Sequence, residues 1–181
     1  MVDLMLIHYC DSYSTIKDIR SRRKSSFHDK HRQHTSSFKL EHDMTSMPMR
    51  RLGRNGPKVS ALGLGCMSYM QPGEEAGREA VRTIQAAMDV GFIFLDTADF
   101  YGSGISEMNV GKAIRGRRER AFLSVKFGVQ TSPTRGIIGL DGRPNSVKNF
   151  ATYSLRRLGV DMIDLYQPAC ADPDVPYEET I

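Results

Sequence analysis

The sequence predicts an α/β fold in which parallel strands alternate with helices, entered through a β-hairpin and preceded by a disordered leader. Two observations predict it. Short, continuously apolar runs recur at spacings of roughly thirty to forty residues, the period of repeated βαβ units. Between them lie stretches whose apolar residues repeat at helical spacing. Continuous apolar runs imply strands buried on both faces, hence a parallel sheet.

Residues 1–48 read as a leader without a fold. Ser21 to Ser37 consists of Ser, Arg, Lys, His and Gln with few exceptions, and Phe27 is its one large apolar residue. Such a stretch cannot bury enough surface to offset its ordering entropy. All five histidines (His8, His28, His31, His34, His42) fall in this leader, at spacings that match no closed metal site. Met44, Met47 and Met49 cluster just before the globular pattern, so a non-native leader is a further reading.

Residues 49–181 carry the rhythm. Met49 to Ala61 reads as a hairpin turning at Asn55-Gly56-Pro57. Strand candidates follow at 62–65, 92–96, 121–126 and 162–167. The first helix places Ala80, Ile84, Ala87 and Met88 on one face, with Glu74 and Glu75 at its start and Gly91 at its end. The second takes Ser106 as N-cap, carries Val110 and Ile114 inward and stops at Gly116. The third aligns Val147, Phe150, Ala151, Leu155 and Leu158, with Asn145 or Ser146 as cap. Pro176 followed by Glu178 and Glu179 reads as the first turn of a fourth helix.

This rhythm fits either a (β/α)8 barrel or an open doubly wound sheet. Two features favour the barrel. The first strand-to-helix junction, Gly63-Leu64-Gly65-Cys66-Met67-Ser68, lacks the third glycine of a dinucleotide fingerprint. Asp96, Tyr101 and Lys126 gather at or just past strand C-terminal ends, where barrel enzymes build their sites.

Composition sets the class. The chain has 181 residues, 40% hydrophobic and 25% charged, enough for one domain with a core. Residues 1–50 hold nine Lys/Arg against six Asp/Glu, and residues 51–181 hold sixteen against fifteen. The net charge of +4 therefore owes most to the leader, which argues against a folded nucleic-acid-binding surface. Three widely spaced cysteines (Cys10, Cys66, Cys170) form neither a metal pattern nor a disulfide framework, and no apolar run is long enough to span a membrane. Leu4 to Ile7 is too short for a signal-peptide core, so the cytoplasm is the expected location.

The most informative constellation is Asp96 and Tyr101, in Asp96-Thr97-Ala98-Asp99-Phe100-Tyr101-Gly102, with Lys126 twenty-five residues after the tyrosine. A phenol near pKa 10 donates a proton at neutral pH only where something stabilises its phenolate. An ammonium does so, and a carboxylate holds the ammonium in place. These three side chains suit carbonyl reduction.

From Arg51 onward the chain resembles the N-terminal half of an aldo-keto reductase. The matching stretches are Arg51-Leu52-Gly53, Leu62 to Met67, Phe94 to Gly102 and Ser106-Glu107 with Gly111-Lys112-Ala113. They continue with Lys126-Phe127-Gly128, Ser154 to Asp161, Ile163 to Tyr166, and Asp172-Pro173 with Val175-Pro176. The resemblance implies a (β/α)8 barrel that uses NADPH to reduce aldehyde or ketone carbonyls of small molecules. It implies Tyr101 as proton donor, Lys126 as the charge that eases its ionisation, and Asp96 as the residue orienting Lys126. Gly65, Cys66 and Met67, with Asp96, would border the nicotinamide end of the cofactor.

Two departures from that pattern stand out. Ala169 occupies the position where the family usually has a histidine after its fourth strand, and no histidine follows His42. The match also covers only four βα units, whereas a complete barrel needs about 250 residues. Half a barrel would expose two parallel edges, which invite self-association. Two other readings follow from these departures: a non-catalytic, cofactor-sensing regulatory subunit of the same fold, and an inactive gene fragment.

Overall fold

The computed structural model describes residues 47–181 apart from Arg135, so the expectation for the leader lies outside the described residues but for its last two. The chain opens with the expected hairpin. Strand β1 (Met49–Arg51) runs antiparallel to β2 (Lys58–Ser60), with Met49 opposite Ser60. Ser60 Oγ accepts from the backbone N–H groups of Ile93 and Phe94 at 3.1 and 3.2 Å, which ties the hairpin to the start of the second sheet strand.

The main sheet has four strands in the order β3 (Gly63–Gly65), β4 (Phe94–Ala98), β5 (Phe122–Phe127) and β8 (Leu165–Pro168), all parallel. Helices α1 (Glu74–Asp89), α2 (Ile105–Ile114) and α3 (Pro144–Leu158) make the three crossovers. A short helix, α4 (Tyr177–Thr180), follows β8. In register, Gly65 lies beside Asp96, Asp96 beside Ser124, and Lys126 beside Gln167.

All three long helices cover one face of the sheet. Leu95, Leu123 and Val125 point into a core with Ile84 and Met88 of α1, Val110, Ala113 and Ile114 of α2, and Leu158 of α3. Because a strand's side chains alternate between faces, Phe94, Asp96 and Ala98 of β4 point the other way. So do Phe122, Ser124 and Lys126 of β5, and the Phe94 and Phe122 rings stack 5.3 Å apart there. A sheet with helices on one side and polar groups on the other is a barrel segment, not a doubly wound sheet.

Three details differ from the sequence expectation. Ser106 is not the N-cap of α2; Gly104 is, in the left-handed region at φ 97°, a conformation that strains a residue with a Cβ. Ser106 instead turns inward, donating to the Cys66 carbonyl at 2.8 Å and lying 2.9 Å from Thr97 Oγ1. Neither Asn145 nor Ser146 caps α3, because Pro144 presets the first helical position and Arg143 becomes the cap. Ser146 Oγ donates to Asp141, which Arg143 also grips with Nε at 2.9 Å and Nη2 at 2.6 Å. Finally, a second hairpin, β6 (Val129–Thr131) with β7 (Ile137–Leu140), interrupts the passage from β5 to α3.

Candidate active site

The polar side chains of the helix-free face form one chain of hydrogen bonds. Asp96 Oδ2 accepts from the Lys126 ammonium, and Asp96 Oδ1 accepts from Ser124 Oγ at 2.9 Å. Ser124 Oγ accepts in turn from Gln167 Nε2 at 3.1 Å. Register explains the contacts: Asp96 and Ser124 are direct neighbours on β4 and β5, and Lys126 stands one pleat further along. The Lys126 and Asp96 side chains are each 20% exposed. A partly buried ion pair of this kind contributes little net stability against its desolvation cost.

Tyr101 arrives from the loop after β4. Its N–H donates to the Ala98 carbonyl at 3.2 Å, and its ring packs edge-on against Phe100 with centroids 5.0 Å apart. Lys126 Nζ lies 5.2 Å from the Tyr101 ring centroid. The structure thus brings together Asp96 from the middle of β4, Lys126 from near the end of β5 and Tyr101 from the loop beyond β4. Ser124 and Gln167 were not singled out. The signal for Ser124 was present, since it stands two residues before Lys126 and so shares its face.

Gly65, Cys66 and Met67 form the rim beside Asp96. The Cys66 N–H donates to the Asp96 carbonyl at 2.8 Å, extending the pairing of β3 with β4. Gly65 is exposed, and nothing lies within 4 Å of where its Cβ would be; Met67 is 45% exposed. This bare backbone beside the Asp96–Lys126 pair leaves room for a flat ring. Cys66 points the other way, fully buried in the helix-side core. Burial first, with Asp96 adding to it and Lys126 opposing, pushes its thiol up to about 12. Only its backbone can border a ligand on this face.

A second polar cluster lies behind the tyrosine loop, on the helix side. Glu107 is fully buried and accepts from Arg157 Nη1 at 3.0 Å. Asp99 is 6% exposed, and burial together with the Glu107 carboxylate pushes its carboxyl up to about 7 against the opposing pull of Arg157. Both residues stand in the stretches quoted for the family resemblance, but their pairing was not legible.

The profile of the Aldo/keto reductase family matches residues 61–181. The chain belongs to that family. The aldo-keto reductase yakc [NADP(+)] of Schizosaccharomyces pombe is 36% identical over 139 residues, covering 74% of this chain and 40% of the relative. A probable aldo-keto reductase 1 of Glycine max is 38% identical over 138 residues, covering 72% of this chain and 38% of the relative. The holo form of the aldo-keto reductase AKR11C1 from Bacillus halodurans superposes with a TM-score of 0.66 at 38% identity, over 75% of this chain and 44% of that one. The parallel sheet thus matches part of an aldo-keto reductase barrel, and the chain spans about two fifths of the curated relatives it matches.

Proposed function

We propose that this chain carries the proton-donating half of an NADPH-dependent carbonyl reductase, with small aldehydes or ketones as substrates. The observation that carries the reading is the approach of the Asp96-bound Lys126 ammonium to the Tyr101 ring. The Tyr101 hydroxyl donates its proton to the substrate's carbonyl oxygen. Lys126 stabilises the phenolate left behind, and Asp96, steadied by Ser124, keeps Lys126 from turning to solvent. The open rim at Gly65 and Met67 fits the nicotinamide end of NADPH, which supplies a hydride when bound. The Schizosaccharomyces pombe relative is named as an NADP(+) aldo-keto reductase, which supports that choice of cofactor. Ala169, just past β8, donates its N–H to the Phe127 carbonyl at 2.9 Å and offers no imidazole, so Tyr101 acts without a second proton-sharing group. The unpaired outer edges of β3 and β8 among the described residues support self-association of this chain on its own.

The test supplies the rest of the barrel. This chain is co-expressed with the portion of the Schizosaccharomyces pombe relative that it does not match, and NADPH consumption is followed with a simple aldehyde. Tyr101→Phe should lower turnover by at least roughly 100-fold, the scale of general acid catalysis, while NADPH binding is kept. The 181-residue chain alone should show no turnover. Full activity in Tyr101→Phe would overturn the assignment.

A further inference from the structure

The loop between β4 and α2 carries Tyr101, and one side chain on the far side of the sheet braces it. Gly102, Ser103 and Gly104 have φ of 60°, 54° and 97°, and Ser103 is the one non-glycine residue among the described ones with positive φ. A Cβ on Gly104 would fall 2.6 Å from Arg157 Nε and 2.8 Å from Cζ, so the guanidinium lies against bare backbone. Arg157 Nη1 also donates to Glu107 in the first turn of α2 and reaches the Asp99 carbonyl oxygen at 3.5 Å. Arg157 thus touches the loop's first residue, its last glycine and the helix that follows. On the opposite flank, a Cβ on Gly102 would lie 2.7 Å from the Met70 carbonyl oxygen. Tyr101 is held between these two contacts.

Among the described residues, the same guanidinium is the one cation facing two buried carboxyl groups. Asp99 Oδ1 and Glu107 Oε1 have no hydrogen-bond partner among the described residues. The groups facing Asp99 are Glu107 from α2, Arg157 from α3 and the Tyr166 phenol from β8, whose ionisation both carboxylates oppose. The β6–β7 hairpin contributes Val129, Gln130, Thr131 and Ile138, none of them charged. A cavity of about 370 Å³, lined by Asp99, Ser103, Gln130, Tyr153 and Arg157 among others, gives protons a route to the cluster. With Asp99 neutral, Arg157 belongs to Glu107 and Gly104. An ionised Asp99 draws the guanidinium toward its own carboxylate at the start of the loop and away from Gly104 at its end, because an unpaired buried carboxylate is costly.

We propose that Arg157 is a positioning residue for Tyr101 and that loss of the Asp99 proton draws it off Gly104, freeing the far end of the Tyr101 loop. The catalytic consequence rests on Tyr101 being the proton donor; the loop's geometry does not, and it is tested without turnover. The readout is the nuclear Overhauser contact between the Tyr101 ring and the Lys126 side chain in the full 181-residue chain. In the wild type this contact should weaken at least about twofold between about pH 5.5 and 8, across the Asp99 titration. In Asp99→Asn it should stay at its acidic strength throughout. In Arg157→Lys, which keeps the charge opposite Glu107 but loses the flat contact with Gly104, it should be weak at every pH. A contact that is independent of pH in the wild type overturns the proposal, as does one that still titrates in Asp99→Asn. If Arg157→Lys fails to fold, the wild-type and Asp99→Asn profiles decide the matter between them. Failure of the proton-donor reading shows elsewhere, as activity of Tyr101→Phe in the completed barrel.

Discussion

Replacing Asp99 with asparagine should change how the folded state responds to pH, and the size of the change follows from the burial of its carboxyl. In the folded chain Asp99 keeps its proton up to about pH 7, whereas its ordinary value is 3.8. Between those values the folded state binds a proton that the unfolded chain has released. Stability must therefore fall as pH rises from about 4 to about 7 and level off above that. Three units at about 1.4 kcal/mol each give a loss of up to about 4 kcal/mol, a large part of the ~5–15 kcal/mol that holds a domain together. No histidine occurs between Met47 and Ile181, so few other groups there titrate in this window. The five histidines near the N-terminus are common to both proteins and cancel in the difference. Urea unfolding from about pH 4.5 to 8 measures it. Asp99→Asn should flatten the curve and gain on the wild type as pH rises, reaching its full advantage near neutrality. Parallel curves for the two proteins would refute the reasoning.

Other substitutions test other parts of the molecule. Leu123→Ala opens a cavity in the fully buried helix-side core and should cost about 3 kcal/mol by urea unfolding, without altering the Asp96–Lys126 pair. The Arg143 guanidinium, with help from Ser146, holds the Asp141 carboxyl well below the usual carboxylate range. Its contribution is present above about pH 4 and lost as pH falls further, so Asp141→Asn should remove stability at neutral pH and flatten the acid limb of the unfolding curve. In the completed barrel, Ala169→His should raise turnover on simple aldehydes by placing an imidazole just past β8; unchanged turnover would show that Tyr101 needs no second proton-sharing group.

The sequence was most legible where spacing is local. The four parallel strands and three crossover helices followed from apolar runs and helical stripes, because burial on a sheet or helix face leaves a period in the chain. Lys126 falls near the end of β5 as its apolar run implied, whereas β4 runs on past Asp96 to Ala98 and leaves Asp96 in mid-strand. Contacts between distant residues left no such trace. Glu107 stood in the sequence only as part of the Ser106-Glu107 stretch, yet it is fully buried, with Arg157, fifty residues later, as its counter-charge. Ser106 looked like a cap by residue type, but Gly104, two residues earlier, accepts the left-handed backbone more readily. Val129–Thr131 and Ile137–Leu140 passed unread because each is very short, and their antiparallel pairing falls inside the βα period.

The alternation along β5 makes the chain sensitive to the parity of insertions. Leu123 and Val125 serve the core while Ser124 and Lys126 serve the opposite face, one residue out of step. Inserting a single residue between Leu123 and Ser124 would turn Lys126 toward the helices and present Val125 to the opposite face, disrupting the core and the Asp96–Lys126 pair together. Two inserted residues would restore each side chain to its own face but raise the ammonium by roughly 6–7 Å relative to Asp96. Length changes between Asp96 and Lys126 are therefore confined to the segments outside the strands, where neither parity nor height is at stake.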